Sequence, residues 1–182
     1  MMIIKCEFSL RQKFFKGVRY HSYSCLIENL EIPINDNIFE VNHLPGKTNE
    51  HVKDLRIKDC KMPQLLQDIG DTFKNVEKLF IFNSNLKSLT KFDLEQFENL
   101  KQIFVYENDL EFLPSNLFES TKKIEEIYFP SNKIKFIGPT IFDNLGNLKD
   151  VRLTNNVNIN CCYGSGYSEA VTLEQLIEKI KN

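Results

Sequence analysis

Between Val52 and Asn160 the apolar residues return in a fixed order. Val52, Val76, Leu100, Ile124 and Leu148 each open a segment, and successive openings lie 24 residues apart. Within every segment, positions 4 and 6 are apolar: Leu55 and Ile57, Leu79 and Ile81, Ile103 and Val105, Ile127 and Phe129, Val151 and Leu153. A spacing of two is that of a strand, not of a helix. Copies stacked in register make a parallel sheet with a step of about 4.8 Å, so five strands span roughly 20 Å. Position 9 holds Cys60, Ser84, Asn108, Asn132 and Asn156, where the chain leaves the strand and turns inward. An Asn amide there can satisfy buried backbone groups of the neighbouring turn. Cys60 and Ser84 have fewer donors, which predicts weaker first rungs. Positions 11 and 14 close the core, with Met62 and Leu65, Leu86 and Leu89, Leu110 and Leu113, Ile134 and Ile137. Leu94, Phe118 and Phe142 at position 19, with Phe73 and Phe97 at position 22, predict a spine of Phe stacked on Phe.

Residues 1–51 do not follow this period. Cys6 to Leu10 and Tyr20 to Ile27 each alternate apolar and polar side chains, as half-buried strands do. The basic stretch between them, Arg11 to Arg19 with Gly17, predicts a hairpin. A Cys6–Cys25 bridge would close a loop of about 20 residues, worth roughly 3 kcal/mol in the chain-entropy view. Ile32 to Ile34 and Ile38 to Val41 predict further short strands, and the Pro45-Gly46 pair a turn. Such a block caps a stack whose first rung would otherwise face water. At the other end the pattern frays: position 11 of the last copy is Asn158, and Gly164 to Gly166 marks a turn. Thr172 to Gln175 then has the form of a capping box, with Leu173, Leu176, Ile177 and Ile180 on one helical face that seals the core. The organisation is therefore a cap over 1–51, five repeats over 52–160, and a helical cap over 161–182.

At 182 residues the chain is one continuous stack rather than two globules. A net charge of −2 with interspersed signs points to neither a nucleic-acid nor an anionic-membrane partner. No window approaches the length of a membrane-spanning helix. The five cysteines sit near the ends (Cys6, Cys25, Cys161, Cys162), with Cys60 alone inside the stack. That placement fits bridged caps made in an oxidising compartment, and the alternative is a set of buried thiols in a cytoplasmic protein. The start, Met1 to Ile4 followed by Lys5, is too short for the apolar part of a signal peptide, so the chain is mature, truncated or never secreted. No Asn-x-Ser/Thr sequon occurs.

The L-x-x-L-x-L-x-x-N-x-L pattern at Leu100 to Leu110, repeated at a constant period, is identified as a leucine-rich repeat and covers about 60% of the chain. The period, the Leu113-Pro114 step and Phe at position 19 resemble the extracellular 24-residue class. The flanks, Cys6-x-Phe8, Tyr23-Ser-Cys25 and His43-Leu-Pro-Gly-Lys-Thr-Asn-Glu-His-Val-Lys-Asp-Leu-Arg-Ile57, resemble secreted leucine-rich-repeat proteins of mosquitoes and midges. The resemblance implies an α/β solenoid, a horseshoe with five parallel strands on its concave face, an N-terminal hairpin cap and a C-terminal helical cap. It also implies a non-catalytic, secreted recognition or innate-immunity protein. The usual Cys-Pro-rich N-terminal flank is absent, and only the start of a C-terminal cysteine flank is present at Asn158 to Cys162. Adjacent cysteines pair only through a strained ring, so one of Cys161 and Cys162 bonds elsewhere or both stay reduced.

Candidate chemistry is scarce. His21, His43 and His51 all lie in the N-terminal cap without metal-ligand spacing, and no nucleotide-binding or hydrolase motif occurs. Neither a cofactor nor a metal is expected, and neither is catalysis. The outward face of the sheet is richer. Position 5 reads Arg56, Phe80, Phe104, Tyr128, Arg152, and position 7 reads Lys58, Phe82, Tyr106, Pro130, Thr154. In register these form two aromatic columns bracketed by Arg56, Lys58 and Arg152, with positions 3 and 8 as a polar rim. Aromatics ringed by charge have the composition of a protein-binding hot spot. The rival reading is that the rings satisfy one another by strand preference and packing. A protein partner or self-association follows from the first reading, through either a secreted module, a receptor ectodomain fragment or an intracellular scaffold.

Overall fold

The computed structural model describes residues 2–12, 19–29, 39–66, 69–165 and 170–181. The alternation at the N-terminus produces β1 (Met2–Gln12) and β2 (Arg19–Glu28), an antiparallel hairpin in which Cys6 lies opposite Cys25 and is bonded to it. The turn expected around Gly17 and the strand expected at Ile32 to Ile34 lie outside the described residues. β3 (Phe39–Asn42) runs parallel to the start of β1. The Pro45-Gly46 turn follows as expected, with Gly46 at a φ of 74° and the Lys47 amide donating to the Leu44 carbonyl at 2.9 Å.

The repeat then supplies β4 (Asp54–Lys58), β5 (Lys78–Phe82), β6 (Gln102–Tyr106), β8 (Glu126–Tyr128) and β10 (Asp150–Arg152). All five pair in parallel, and each residue faces its equivalent 24 positions on. β8 stops at Tyr128 because Pro130 has no N–H to give to the ladder. Between β6 and β8, β7 (Phe112–Leu113) starts a second, two-stranded parallel sheet completed by β9 (Phe136–Ile137). β11 (Cys162–Tyr163) turns back antiparallel to β10. Among the described residues the main sheet has nine strands in the order β11-β10-β8-β6-β5-β4-β2-β1-β3.

The hairpin is thus more than a lid. β2 pairs in parallel with β4, placing Cys25 on Leu55 and Ile27 on Ile57, so the cap supplies an additional rung of the same sheet. Its residues precede their partners by 30 positions rather than 24, which is why the period does not reach them.

Every rung buries its apolar pair, from Cys25 and Ile27 to Val151 and Leu153. Asn108 performs the task expected of position 9 in full. Its carbonyl accepts from the Ser84 and Leu86 amides, and its NH2 donates to the Ile81 and Tyr106 carbonyls, all between 2.9 and 3.1 Å. Ser84 manages one bond each way, to the Phe82 carbonyl and from the Cys60 amide. At about 1 kcal/mol per buried bond, the Asn rungs hold more firmly than the Ser rung. Opposite the sheet, α1 (Ile69–Thr72) and α2 (Lys91–Leu94) are single turns, and Phe73, Phe97 and Phe118 are fully buried beneath that layer. The expected Phe-on-Phe spine is not what fills it. The phenylalanines move from position 22 to position 19 along the stack, and Phe118 meets Phe129 of the next strand, centroids 6.4 Å apart.

The far end closes with α3 (Leu173–Lys181). The Gln175 backbone amide donates to the Thr172 hydroxyl, and the Gln175 side-chain Oε1 accepts from the Thr172 backbone amide, which is the expected capping box. Leu176 is fully buried, with Leu173, Ile177 and Ile180 packed against the core. Among the described residues, no helix is long and apolar enough to cross a membrane.

Candidate functional site: the outer face of the sheet

Strand alternation puts Ile103 and Val105 in the core and Phe104 and Tyr106 on the other side, and pairing stacks each side chain on its equivalent. Phe80 lies face to face with Phe104, with centroids 4.5 Å apart and planes 4° apart. Phe104 in turn stacks on Tyr128 at 4.9 Å. The Arg56 guanidinium sits over the free face of Phe80 at 5.6 Å. Arg152 continues this column on the other side of Tyr128 in register, with its Nε donating to the Thr154 hydroxyl at 3.2 Å. In the second column Phe82 meets Tyr106 at 4.7 Å. The ring spacings equal the strand spacing, so the backbone ladder itself sets the stack. All five rings are half-buried.

Mutual stacking is worth about 0.5–1.5 kcal/mol per pair, so these rings contribute to stability whatever else they do. Arg56 Nε is buried and has no hydrogen-bond acceptor among the described residues. Lys58 reaches back to Asp59 at 3.2 Å. The Asn83 amide and then Lys58 hold the Asp59 carboxyl below its ordinary range.

The rim departs from expectation in two ways. Asp54 and Gln102 at position 3 are buried instead of exposed, and the Ser22 hydroxyl of β2 donates to Asp54. Position 8 is a backbone device. Asp59, Asn83, Glu107, Ser131 and Asn155 all have φ between 45° and 58°, as does Asn29 after β2. Each turns the chain out of its strand in the left-handed region, which Asn and Asp tolerate and Glu and Ser tolerate less well.

Register adds residues that periodicity alone misses. Leu26 extends the column beyond Arg56, and Glu28 lies against Lys58. Cys162 lies against Arg152 at the opposite end. Just before the strands, position 2 alternates in charge along the stack as Lys53, Glu77, Lys101, Glu125 and Lys149. Glu77 bridges Lys53 at 3.2 Å and Lys101 at 2.8 Å, and Lys149 reaches Glu125 at 2.7 Å. Burial pushes the Glu77 carboxyl up, and the two lysines more than reverse this, leaving it below its ordinary value.

The thiols sort themselves without ambiguity. Cys60, Cys161 and Cys162 are buried and lie outside the disulfide, and burial raises the Cys161 thiol. In the cap, His43 joins the Tyr23 hydroxyl at 2.9 Å to Asn49 Oδ1 at 2.7 Å, and the Leu44 amide donates to the same hydroxyl. His43 lies beside Cys6 and Cys25, but both sulfurs are in the bridge and neither is a thiolate that could hold a metal.

A model of the BspA-type leucine-rich-repeat region matches residues 48–165 in six copies. Among solved structures, the chain is similar to one in the LRIM1/APL1C complex, with 16% identity, a TM-score of 0.63, and coverage of 86% of this chain and 27% of that one. The APL1 leucine-rich-repeat domain gives 16% identity, a TM-score of 0.61, and coverage of 86% and 37%. A chain of the Drosophila Toll–Spatzle complex gives 22% identity, a TM-score of 0.56, and coverage of 68% and 17%. At these identities the likeness is one of fold, and the present chain spans at most 37% of those chains. No curated protein matches it significantly by sequence.

Proposed function

The chain belongs to the BspA-type leucine-rich-repeat family, and from that membership we propose a non-catalytic module that binds a protein partner through the aromatic outer face of its sheet. The unbroken series Arg56–Phe80–Phe104–Tyr128 carries this reading. It supplies large, rigid rings at the centre of the face and guanidinium groups at its ends, the residue types that dominate binding hot spots. Arg56, Lys58, Phe80, Phe82, Phe104, Tyr106, Tyr128 and Arg152 form the contact surface. The surface thus offers a protein large rings held in register, with cations at the ends of the columns. Residues 1–51 and 161–182 close the ends, and 52–160 form the recognition stack.

The partner is sought by panning a random peptide display library on the wild-type chain. Recovered peptides should lose about tenfold or more in affinity for Phe104→Ala combined with Tyr128→Ala, at unchanged circular dichroism. Equal affinity for both proteins would remove the concave face from consideration.

The Cys6–Cys25 bridge supports an extracellular setting, and the similar folds in the LRIM1/APL1C and Toll–Spatzle complexes, each held in an assembly, support a recognition role. A second reading, an intracellular scaffold using the same face, is favoured by the three buried cysteines outside the bridge. Thiol titration of unreduced, denatured protein separates them. The extracellular reading expects three reactive thiols, in line with one bridge and three cysteines outside it, and five would establish the reduced, intracellular form.

A further inference from the structure

Away from the concave face, two large rings stand in water. Phe112 is 53% exposed and Phe136 is 68% exposed, and the two are register partners on the small sheet β7–β9. Beneath them Leu113 and Ile137 are buried, so the phenylalanines are the outward residues of strands that already have their core contacts. The same rungs carry a charge division. Asp109 and Glu111 lie on the rung of β7, and Lys133 and Lys135 on the rung of β9, joined across the rungs at 2.6 and 2.9 Å. Neighbouring rungs do not repeat the rings, since Ser88 and Asn160 occupy that position, and neither is acidic at the equivalents of Asp109 and Glu111, where the preceding rung has Asn85 and Lys87 and the following one Val157 and Ile159.

We propose that this patch binds a second copy of the chain in a two-fold dimer whose axis runs along the strand direction between β7 and β9. The charge order selects both the occupant and the axis. Such a rotation sets the acidic rung of one copy against the basic rung of the other, with Glu111 facing Lys135, Asp109 facing Lys133, and Phe112 facing Phe136. A two-fold axis across the strands would set each rung on itself and oppose like charges. The interface is isologous and therefore closes at two copies. Two rings and four charges a side is small for a stable interface, so association falls at a Kd on the order of 100 µM.

Sedimentation velocity of the 182-residue chain from about 5 µM to about 1 mM tests this at that expected affinity. The wild type moves towards dimer with concentration, and Phe112→Ser with Phe136→Ser stays monomeric. Glu111→Lys alone and Lys135→Glu alone also stay monomeric, while their equimolar mixture dimerises at least as well as the wild type. Phe104→Ala with Tyr128→Ala leaves dimerisation unchanged, which keeps this surface distinct from the concave one. A wild type that stays monomeric throughout would overturn the proposal, as would dimerisation that survives loss of both rings or a mixture no better than its components. All four altered side chains in the test patch are exposed, so circular dichroism should be unaffected.

Discussion

At position 8 of each rung the backbone adopts the left-handed conformation, and the residues there are not equally suited to it. Asp59, Asn83 and Asn155 accept it readily, whereas Glu107 at a φ of 55° and Ser131 at 55° bear a steric cost of about 1 kcal/mol. Glu107 is exposed, so its replacement touches little else. Glu107→Asn should therefore raise stability by about 0.5–1 kcal/mol, a gain of a few degrees in Tm. Glu107→Val should lower it, since a β-branched side chain fits that region worst. Thermal denaturation followed by circular dichroism checks both. If the two variants melt together with the wild type, the strain argument fails.

Between neighbouring elements, stacking turns single side chains into columns, and each column has its own physics. The Glu77 carboxyl lies below its ordinary 4.5 because Lys101 and Lys53 outweigh the effect of burial. Lys133, with Asn85, likewise holds Asp109 below its ordinary 3.8, against burial. A lowered folded-state value means that the unfolded chain protonates first. The stabilisation is complete above the unfolded values and is lost as pH falls through the folded ones. The urea midpoint should accordingly hold from about pH 7 to 5 and drop below about pH 4. Glu77→Gln should make that drop shallower, and 1 M salt should shrink the difference between the two proteins because these pairs are partly exposed. An identical acid limb in the variant would mean that the lysine bridges contribute nothing.

This scale also shows what could be read from the chain. The strands at Leu55 to Ile57 and their successors, the Asn ladder, the hairpin bridge and the Thr172–Gln175 capping box all follow from local spacing and chemistry. The extra rung at Cys25 to Ile27 is hidden because loops of different length give a register of 30 instead of 24. The burial of Asp54 is hidden for a related reason, since it depends on Ser22, which approaches from another element. The contacts of the phenylalanine layer are hidden because shape, not period, decides that Phe118 meets Phe129.

At the largest scale, the nine-stranded main sheet of the described residues and one continuous core make a rigid scaffold that holds one face in fixed register. Rigidity is what makes the column effective, since its rings need no ordering when a partner arrives. The aromatic face and the Phe112–Phe136 patch are separate surfaces, so the two proposed contacts do not compete. Contribution to partner binding should then depend on place in the column. The deciding measurement is an alanine scan of affinity for the peptides selected on the wild-type chain, with Phe80, Phe104, Tyr128 and the exposed Phe92 replaced one at a time. Phe104, stacked on both sides, should show the largest loss, about tenfold or more. Phe80 and Tyr128 should show smaller losses, and Phe92→Ala should stay within about twofold, as a residue outside the contact should. A flat profile, or a loss at Phe92 equal to that at Phe104, would contradict the assignment of recognition to the aromatic face.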